Sequence, residues 1–170
     1  GSCFEVLIDL KIAKERPAFL SSKEEETPNG AILEGMHFLC AEDNELNAEI
    51  LTELLKMKGA ECTICENGKK VVETFEQSVP GAYDMILMDV QMPVMNGYDA
   101  ARAIRRSLHK QAGTIPIIAM TANAFSEDIR HSLTAGMNAH ISKPVDMMLL
   151  EKTIRSIKSG GGSETQADKE

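Results

Sequence analysis

Short apolar runs alternate with segments of helical periodicity through the middle of the chain. The runs cover residues 37–41, 62–65, 85–88, 115–120 and 139–142, and each has the length of a strand. Apolar residues three or four positions apart follow each run, as on one face of a helix; in chain order they are Leu46, Ile50, Leu51, Leu54 and Leu55; Val71, Val72 and Phe75; Ala100, Ala103, Ile104 and Leu108; Phe125, Ile129 and Leu133; and Leu149, Leu150, Ile154 and Ile157. Five such units predict a parallel sheet with helices on both faces.

The polarity of the second run indicates the order of the strands. This run is the least apolar of the five, so its strand is predicted at an edge of the sheet. That position favours the flavodoxin-like order 2-1-3-4-5, which is an α/β fold in the form of a (βα)5 three-layer sandwich. Pro116 lies inside the fourth run, and we predict it among the first residues of that strand because proline cannot donate to the ladder.

The composition of the chain divides it into three zones. Residues 1–34 hold one alternating run and then a polar stretch that is typical of a linker. Residues 35–159 carry the dense strand and helix pattern and are predicted to form one domain. Residues 160–170 begin with glycine and serine and are predicted to be a flexible tail.

Charge and hydropathy exclude several classes of protein. The formal net charge of −8 argues against direct binding of nucleic acid, which usually needs a basic face. No stretch approaches the roughly 20 apolar residues that span a bilayer, and no signal peptide is visible. We therefore expect a soluble, cytoplasmic segment without membrane contact.

The C-x-x-C pair Cys62 and Cys65 falls on a strand, where the two thiols point to opposite faces and act as small apolar residues.

Polar side chains collect where the predicted strands end. Glu42 and Asp43 follow the first strand, and Asp89 follows the third. Thr121 and Lys143 follow the fourth and fifth strands. Because parallel strands end at one edge of a sheet, these residues are expected in one shallow cleft. Taken singly, such residues are often helix caps or solvated surface groups, but five suitable types at four strand ends are hard to explain in that way.

Three neighbouring carboxylates repel one another unless a cation joins them. Mg²⁺ prefers oxygen ligands and keeps several waters, which suits an open sheet edge. The set then fits phosphoryl transfer, with Asp89 as the nucleophile, Lys143 as a cation for a phosphoryl oxygen and Thr121 as a hydrogen-bond donor to another.

Four motifs resemble the receiver domains of two-component response regulators. They are residues 39–44 (LCAEDN), 88–97 (MDVQMPVMNG), 119–122 (AMTA) and 142–144 (SKP). The second is similar to the phosphorylation-site loop and is the most specific of the four. The resemblance covers about three quarters of the chain, with the motifs in the family's order and spacing.

The resemblance implies several properties of this chain. It implies that Mg²⁺, or Mn²⁺, is bound by Asp43, by Asp89, by Glu42 through water and by the backbone carbonyl of Gln91. It also implies a cis peptide between Lys143 and Pro144. Finally, it implies a conformational switch between Thr121 and an aromatic residue on the fifth strand. His140 occupies that aromatic position, either as a pH-sensitive group or as a tolerated ring.

A shorter resemblance concerns the N-terminal zone. Residues 1–10 alternate and resemble the final strand of the ATP-binding domain of sensor histidine kinases. This implies that residues 1–34 are the end of a kinase domain plus a linker, and that the chain is a piece of a hybrid kinase, which can be membrane-anchored. The partners would be the histidine kinase core or a histidine phosphotransfer protein, and not nucleic acid.

Two alternatives to a phosphoacceptor are considered. A degenerate receiver would act only as a protein-binding module, but the complete set of Glu42, Asp43, Asp89, Thr121 and Lys143 argues against it. Another enzyme on a similar fold, a dehalogenase-like phosphatase, would need its nucleophilic aspartate after the first strand in a D-x-D pattern, which is absent. A flavin carrier would need a phosphate-binding loop after the first strand. The acidic residues 42–45 would repel a phosphate there.

Overall fold

The computed structural model describes residues 32–122 and 126–160, which form a five-stranded parallel sheet in the order β2-β1-β3-β4-β5. The strands are β1 (His37–Ala41), β2 (Glu61–Cys65), β3 (Met85–Asp89), β4 (Ile117–Thr121) and β5 (Ala139–Ser142). The helices are α1 (Glu45–Met57), α2 (Gly68–Gln77), α3 (Gly97–Arg106), α4 (Ser126–Thr134) and α5 (Met147–Lys158). The predicted fold and strand order are confirmed, with the most polar strand, β2, at an edge.

Alternation along the central strands builds one apolar cluster on each face of the sheet. On β3, Ile86 and Met88 pack with helices α2 and α3, whereas Met85 and Leu87 pack with α1 and α5. All five residues of β3 are buried, as expected for a strand covered on both faces. Cys65 and Cys62 join opposite clusters, as the strand period predicts.

Two features differ from the sequence pattern. Pro116 lies just before β4, where its carbonyl accepts a hydrogen bond from the N–H of Ile86 at 2.9 Å. Helix α3 ends at Arg106, so Leu108 lies beyond the helix and is fully exposed. The helical spacing of Leu108 therefore wrongly predicted that the helix continued to this residue.

The apolar stripes predicted on the helices are wider than the faces that become buried. Leu51 and Leu55 are the buried residues of α1, whereas Leu46 and Ile50 are 63% and 50% exposed. Leu133 of α4 is half exposed, although the neighbouring Ser132 is buried. Packing against the sheet, and not apolar character alone, selects the buried positions.

The domain includes residues before the predicted boundary at residue 35. Leu33 is buried in the cluster on the α1 and α5 face, with Ile32 packed against that cluster. The kinase-like segment was predicted over residues 1–34 and the tail over 160–170; residues 1–31 and 161–170 lie outside the described residues. Phe125, predicted on the fourth helix, also lies outside them. Within the described ranges, every helix is too short or too polar to cross a bilayer.

Candidate functional site

The ends of four strands bring the predicted site residues to one edge of the sheet. Thr121 and Asp89 are the last residues of β4 and β3, and Glu42 directly follows β1. Lys143 directly follows β5, and its N–H donates to the carbonyl of Thr121 at 2.8 Å. The parallel ladders β1–β3, β3–β4 and β4–β5 set this convergence of residues that are distant in sequence.

The Lys143 ammonium lies between two buried carboxylates. Its Nζ is 2.7 Å from Asp89 Oδ2 and 2.6 Å from Glu42 Oε2. The side chains of Asp89 and Glu42 are only 6% and 2% exposed, and that of Lys143 is 21% exposed. Lys143 is therefore a partner of the acidic cluster and not a solvated surface residue.

Glu42 is held by groups that the sequence did not single out. Its Oε1 accepts hydrogen bonds from the Asn47 side-chain amide at 3.1 Å and from the Asn44 N–H at 3.3 Å. Both oxygens of Glu42 thus have protein donors, Lys143 on one side and the first turn of α1 on the other. Asn47 lies one helical turn after the cap Asn44. The signal available in the sequence was the side-chain amide of Asn47 five residues after the Glu42 carboxylate.

Asp43 is left open to solvent because a neighbour caps the helix. Asn44 is the N-cap of α1, and its Oδ1 accepts from the Asn47 N–H at 3.1 Å. Asp43 is exposed and is not the cap. Glu42, Asp43 and Asp89 each offer a carboxylate oxygen, and these three atoms lie within 4.8 Å of one another. Such a set of hard oxygen donors fits a divalent cation such as Mg²⁺.

The protonation equilibria of Asp89 and Lys143 are both displaced. Burial raises the pKa of the Asp89 carboxyl, and this effect exceeds the opposing hydrogen bonds from Lys143 and from the Gln91 N–H, which is 3.0 Å from Asp89 Oδ1. Burial disfavours the charged form of Lys143. Its hydrogen bonds to Asp89 and Glu42 outweigh burial and raise the pKa of the ammonium. Asp89 and Lys143 therefore form an ion pair in which the carboxylate is only partly solvated.

The loop between β3 and α3 is fitted closely to Asp89. A Cβ atom added to Gly97 would lie 2.2 Å from the Asp89 carbonyl oxygen, so only glycine fits there. The Gly97 N–H donates to the carbonyl of Val90 at 3.0 Å. An open cleft of about 500 Å³ is lined by Asp43 and by loop residues 91–93.

The remaining predicted features lie on β4, β5 and the loop after β5. Thr121 is buried at 6% exposure, five residues before α4 begins, so it does not cap that helix. His140 pairs with Ala119 across β4 and β5 and is half-buried, and burial lowers the pKa of its imidazole. The Lys143–Pro144 peptide is cis, as the resemblance implied. The backbone N–H of Gln91 contacts Asp89, whereas the role of its carbonyl stays a prediction.

The chain belongs to the response regulator receiver domain family, whose sequence model matches residues 38–155. One relative, the hybrid signal transduction histidine kinase I of Dictyostelium discoideum, is 38% identical over 120 residues. That alignment covers 69% of this chain but 7% of the kinase, so the chain corresponds to a small part of that relative's length.

Two solved receivers share the fold. The receiver domain of a sensor histidine kinase from Pseudomonas aeruginosa PAO1, solved with magnesium coordinated in its active-site cleft, is 36% identical with a TM-score of 0.64; the match covers 73% of this chain and 98% of that one. The receiver domain of Ssk1 from Saccharomyces cerevisiae, solved with the histidine phosphotransfer protein Ypd1, belongs to a match with 29% identity and a TM-score of 0.65, covering 78% and 94% of the two chains.

Proposed function

We propose that the domain accepts a phosphoryl group on Asp89 from a phosphohistidine, in a Mg²⁺-dependent step of a histidine-to-aspartate phosphorelay. The observation that carries this proposal is the placement of the Asp89 carboxylate. It lies 2.7 Å from the Lys143 ammonium and within 4.8 Å of two further acidic side chains. This arrangement places one cation beside a nucleophilic carboxylate and gathers oxygen ligands for a metal ion next to it.

The proposed reaction transfers one phosphoryl group between two protein side chains. A carboxylate oxygen of Asp89 forms a bond to phosphorus as the phosphorus–nitrogen bond of the donor breaks, and the released imidazole takes up a proton. Lys143 moves from an ion pair with Asp89 to one with a phosphoryl oxygen, and Thr121 donates its hydroxyl to another oxygen. The bound cation supplies neutralisation of the phosphoryl charge.

The geometry supports a particular division of labour among the metal ligands. Asp43 is exposed and lines the cleft, and Asp89 offers an oxygen within 4.8 Å of the oxygens of Asp43 and Glu42. The Asp43 and Asp89 carboxylates are therefore proposed as direct ligands, together with the Gln91 carbonyl. Glu42 accepts three protein hydrogen bonds, from Lys143, Asn44 and Asn47, against two for Asp89, which supports a contact of Glu42 with the metal through water. The three carboxylates would bind Mn²⁺ by the same oxygens, so Mn²⁺ is proposed as a substitute for Mg²⁺.

The partners and setting form part of the same proposal. We infer a histidine kinase core as the phosphodonor, or a histidine phosphotransfer protein of the kind seen with the Ssk1 receiver. The acidic net charge supports protein partners and not nucleic acid. The reduced thiols of Cys40, Cys62 and Cys65 support a cytoplasmic location. His140 and Thr121 are proposed as the switch that reports phosphorylation to the partner.

The test is incubation with acetyl phosphate and Mg²⁺, followed by intact mass measurement. We expect the mass of the wild-type chain to rise by one phosphoryl group, and chelation of Mg²⁺ to prevent the rise. Asp89→Ala should abolish labelling, whereas Asp99→Ala, at an exposed aspartate on α3, should retain it. A folded wild-type domain that gains no mass would reject the proposal and favour a protein-binding module without phosphoryl chemistry.

A further inference from the structure

Two cysteine thiols meet near the edge of the sheet, on the face that packs against α1 and α5. In the parallel ladder of β1 and β2, Phe38 pairs with Cys62 and Cys40 pairs with Ile64, so Cys40 and Cys62 are diagonal neighbours on one face. Both side chains pack in the same apolar cluster, and the Cys40 thiol donates a hydrogen bond to the Cys62 sulfur. The C-x-x-C partner of Cys62, Cys65, lies in the cluster on the opposite face.

The groups around Cys62 favour its thiolate. The hydroxyl oxygen of Thr52 on α1 lies 3.5 Å from Cys62 Sγ, and the same hydroxyl donates to the Ala48 carbonyl at 2.7 Å. Because a hydroxyl rotates, Thr52 can turn its proton from that carbonyl to a thiolate at Cys62. The positive charges of Lys56 on α1 and of protonated His37 on β1 act in the same direction.

Cys62 therefore differs in reactivity from its neighbour Cys65. The hydrogen bond from Cys40 is the largest of the effects on Cys62, and it lowers the pKa of this thiol to about 6, although burial acts in the opposite direction. Cys62 is partly exposed on the edge strand, where a small reagent can reach it. Cys65 is 6% exposed, and burial raises the pKa of its thiol.

We propose that Cys62 and Cys40 form an oxidation site for hydrogen peroxide, in which Cys62 is the attacking thiol and Cys40 closes a disulfide between β2 and β1. The Cys62 thiolate bonds to one peroxide oxygen as the oxygen–oxygen bond breaks, and the departing hydroxide takes up a proton to become water. The Cys40 sulfur then bonds to the sulfur of the Cys62 sulfenic acid, whose oxygen leaves as a second water. The two thiols lose two electrons, and the peroxide gains them.

The edge position of β2 allows the disulfide to close. Diagonal neighbours on adjacent strands have Cβ atoms farther apart than the roughly 3.5–4.5 Å of a disulfide, so closure draws β2 toward β1. Within the described sheet, β2 pairs with β1 on one side and has no strand on the other. A single ladder therefore resists this movement.

The test treats the reduced wild-type chain with hydrogen peroxide, blocks the remaining thiols with iodoacetamide in denaturant and maps tryptic peptides by mass spectrometry without reduction. We expect the peptide that contains Cys40 to be joined to the peptide that contains Cys62, with loss of two hydrogens, whereas Cys65 should be alkylated. Cys62 and Cys65 share a tryptic peptide, so fragment ions assign the linked sulfur. Glutathione in the same tube shows that the peroxide dose oxidises an ordinary thiol.

The pH dependence of alkylation tests the reactivity of Cys62 in the native domain. With limiting iodoacetamide, the rate at Cys62 should rise with a midpoint near pH 6, whereas the rate at Cys65 should still rise above about pH 8.5. In Cys40→Ala, the midpoint for Cys62 should move up by at least about one pH unit, and peroxide should leave a sulfenic acid there that dimedone traps. Circular dichroism checks that this variant folds, and the peptide map of the wild type stands without it.

Four results for the wild type would overturn the oxidation site: Cys62 still reduced at a dose that oxidises glutathione, a sulfenic acid at Cys62 with Cys40 left reduced, a disulfide from Cys62 to Cys65 or Cys3, or an alkylation midpoint for Cys62 above about pH 8. An unchanged midpoint in folded Cys40→Ala would overturn the role of Cys40 as the donor to Cys62.

Discussion

The fit of Gly97 against the acceptor strand allows a sharp prediction for Gly97→Ala. An alanine Cβ would lie 2.2 Å from the Asp89 carbonyl oxygen, where real Cβ contacts below 3.0 Å essentially never occur. The backbone must therefore move by nearly 1 Å. Overpacking of this kind costs about 1–3 kcal/mol, and loss of the hydrogen bond from Gly97 to Val90 costs about 1 kcal/mol more. The better helix propensity of alanine recovers about 1 kcal/mol.

The net expectation is a loss of about 2 kcal/mol from the free energy of unfolding, out of a typical total of about 5–15 kcal/mol. The clash falls on the residue that carries the proposed nucleophile, so it should also displace the Asp89 carboxylate from Lys143 and from the metal ligands. Misplacement by about 1 Å can slow a positioned reaction by about 100-fold. We therefore expect acetyl phosphate labelling of the folded variant to slow by at least about tenfold.

Urea unfolding followed by far-ultraviolet circular dichroism measures the first effect, because the chain has no tryptophan. Time-resolved intact mass measures the second effect. Gly113→Ala is the matched control, since a Cβ atom there meets nothing within 4 Å, and it should change stability by less than about 0.5 kcal/mol. A Gly97→Ala variant as stable and as rapidly labelled as wild type would refute the claimed close approach.

Three further substitutions test the acidic cluster. Burial raises the pKa of Asp89, so its ionised form lowers the stability of the domain above that raised pKa. Metal-free Asp89→Asn should therefore unfold at a higher urea concentration than wild type at pH 7. This gain in stability should vanish as pH falls to about 4, where the wild-type carboxyl is protonated. Lys143→Met leaves two buried carboxylates without their cation and should cost about 3 kcal/mol at pH 7, measured by urea unfolding, with recovery on adding Mg²⁺. Asn47→Ala removes one of the two hydrogen bonds to Glu42 Oε1 and should weaken Mg²⁺ binding, measured by calorimetry, by about tenfold while leaving the unfolding midpoint nearly unchanged.

Contradictory outcomes are clear for each of these variants. A stability gain in Asp89→Asn that persists at low pH would have another cause than the buried charge. Full stability of Lys143→Met without metal would mean that water reaches both carboxylates. An Asn47→Ala variant with unchanged Mg²⁺ affinity would mean that Lys143 and the Asn44 N–H suffice to position Glu42.

The order of the strands and the gathering of the site residues could be predicted because both depend on local patterns. The polarity of the second run indicated its edge position. Parallel strands run in the same direction, so their carboxyl ends meet at one edge of the sheet. The site residues Asp89, Thr121 and Lys143 follow from that rule alone. The exposed Leu46 and Leu108 show the limit of pattern-based prediction, since apolar spacing does not tell which residues another element will cover.

The sequence by itself determined the fold class, the family and the residue types at the strand ends, because alternation, helical spacing and contiguous motifs are properties of the chain. Tertiary structure alone decided the contacts between segments that are distant along the chain. Lys143 bridges Glu42 and Asp89 from 54 residues beyond Asp89, and the N–H of Gly68 at the start of α2 donates to the carbonyl of Met95 in the loop before α3. The φ of +68° at Val94 is likewise a tertiary property, because the loop is held by the Gln91 N–H on Asp89 at one end and by the Met95 carbonyl on Gly68 at the other.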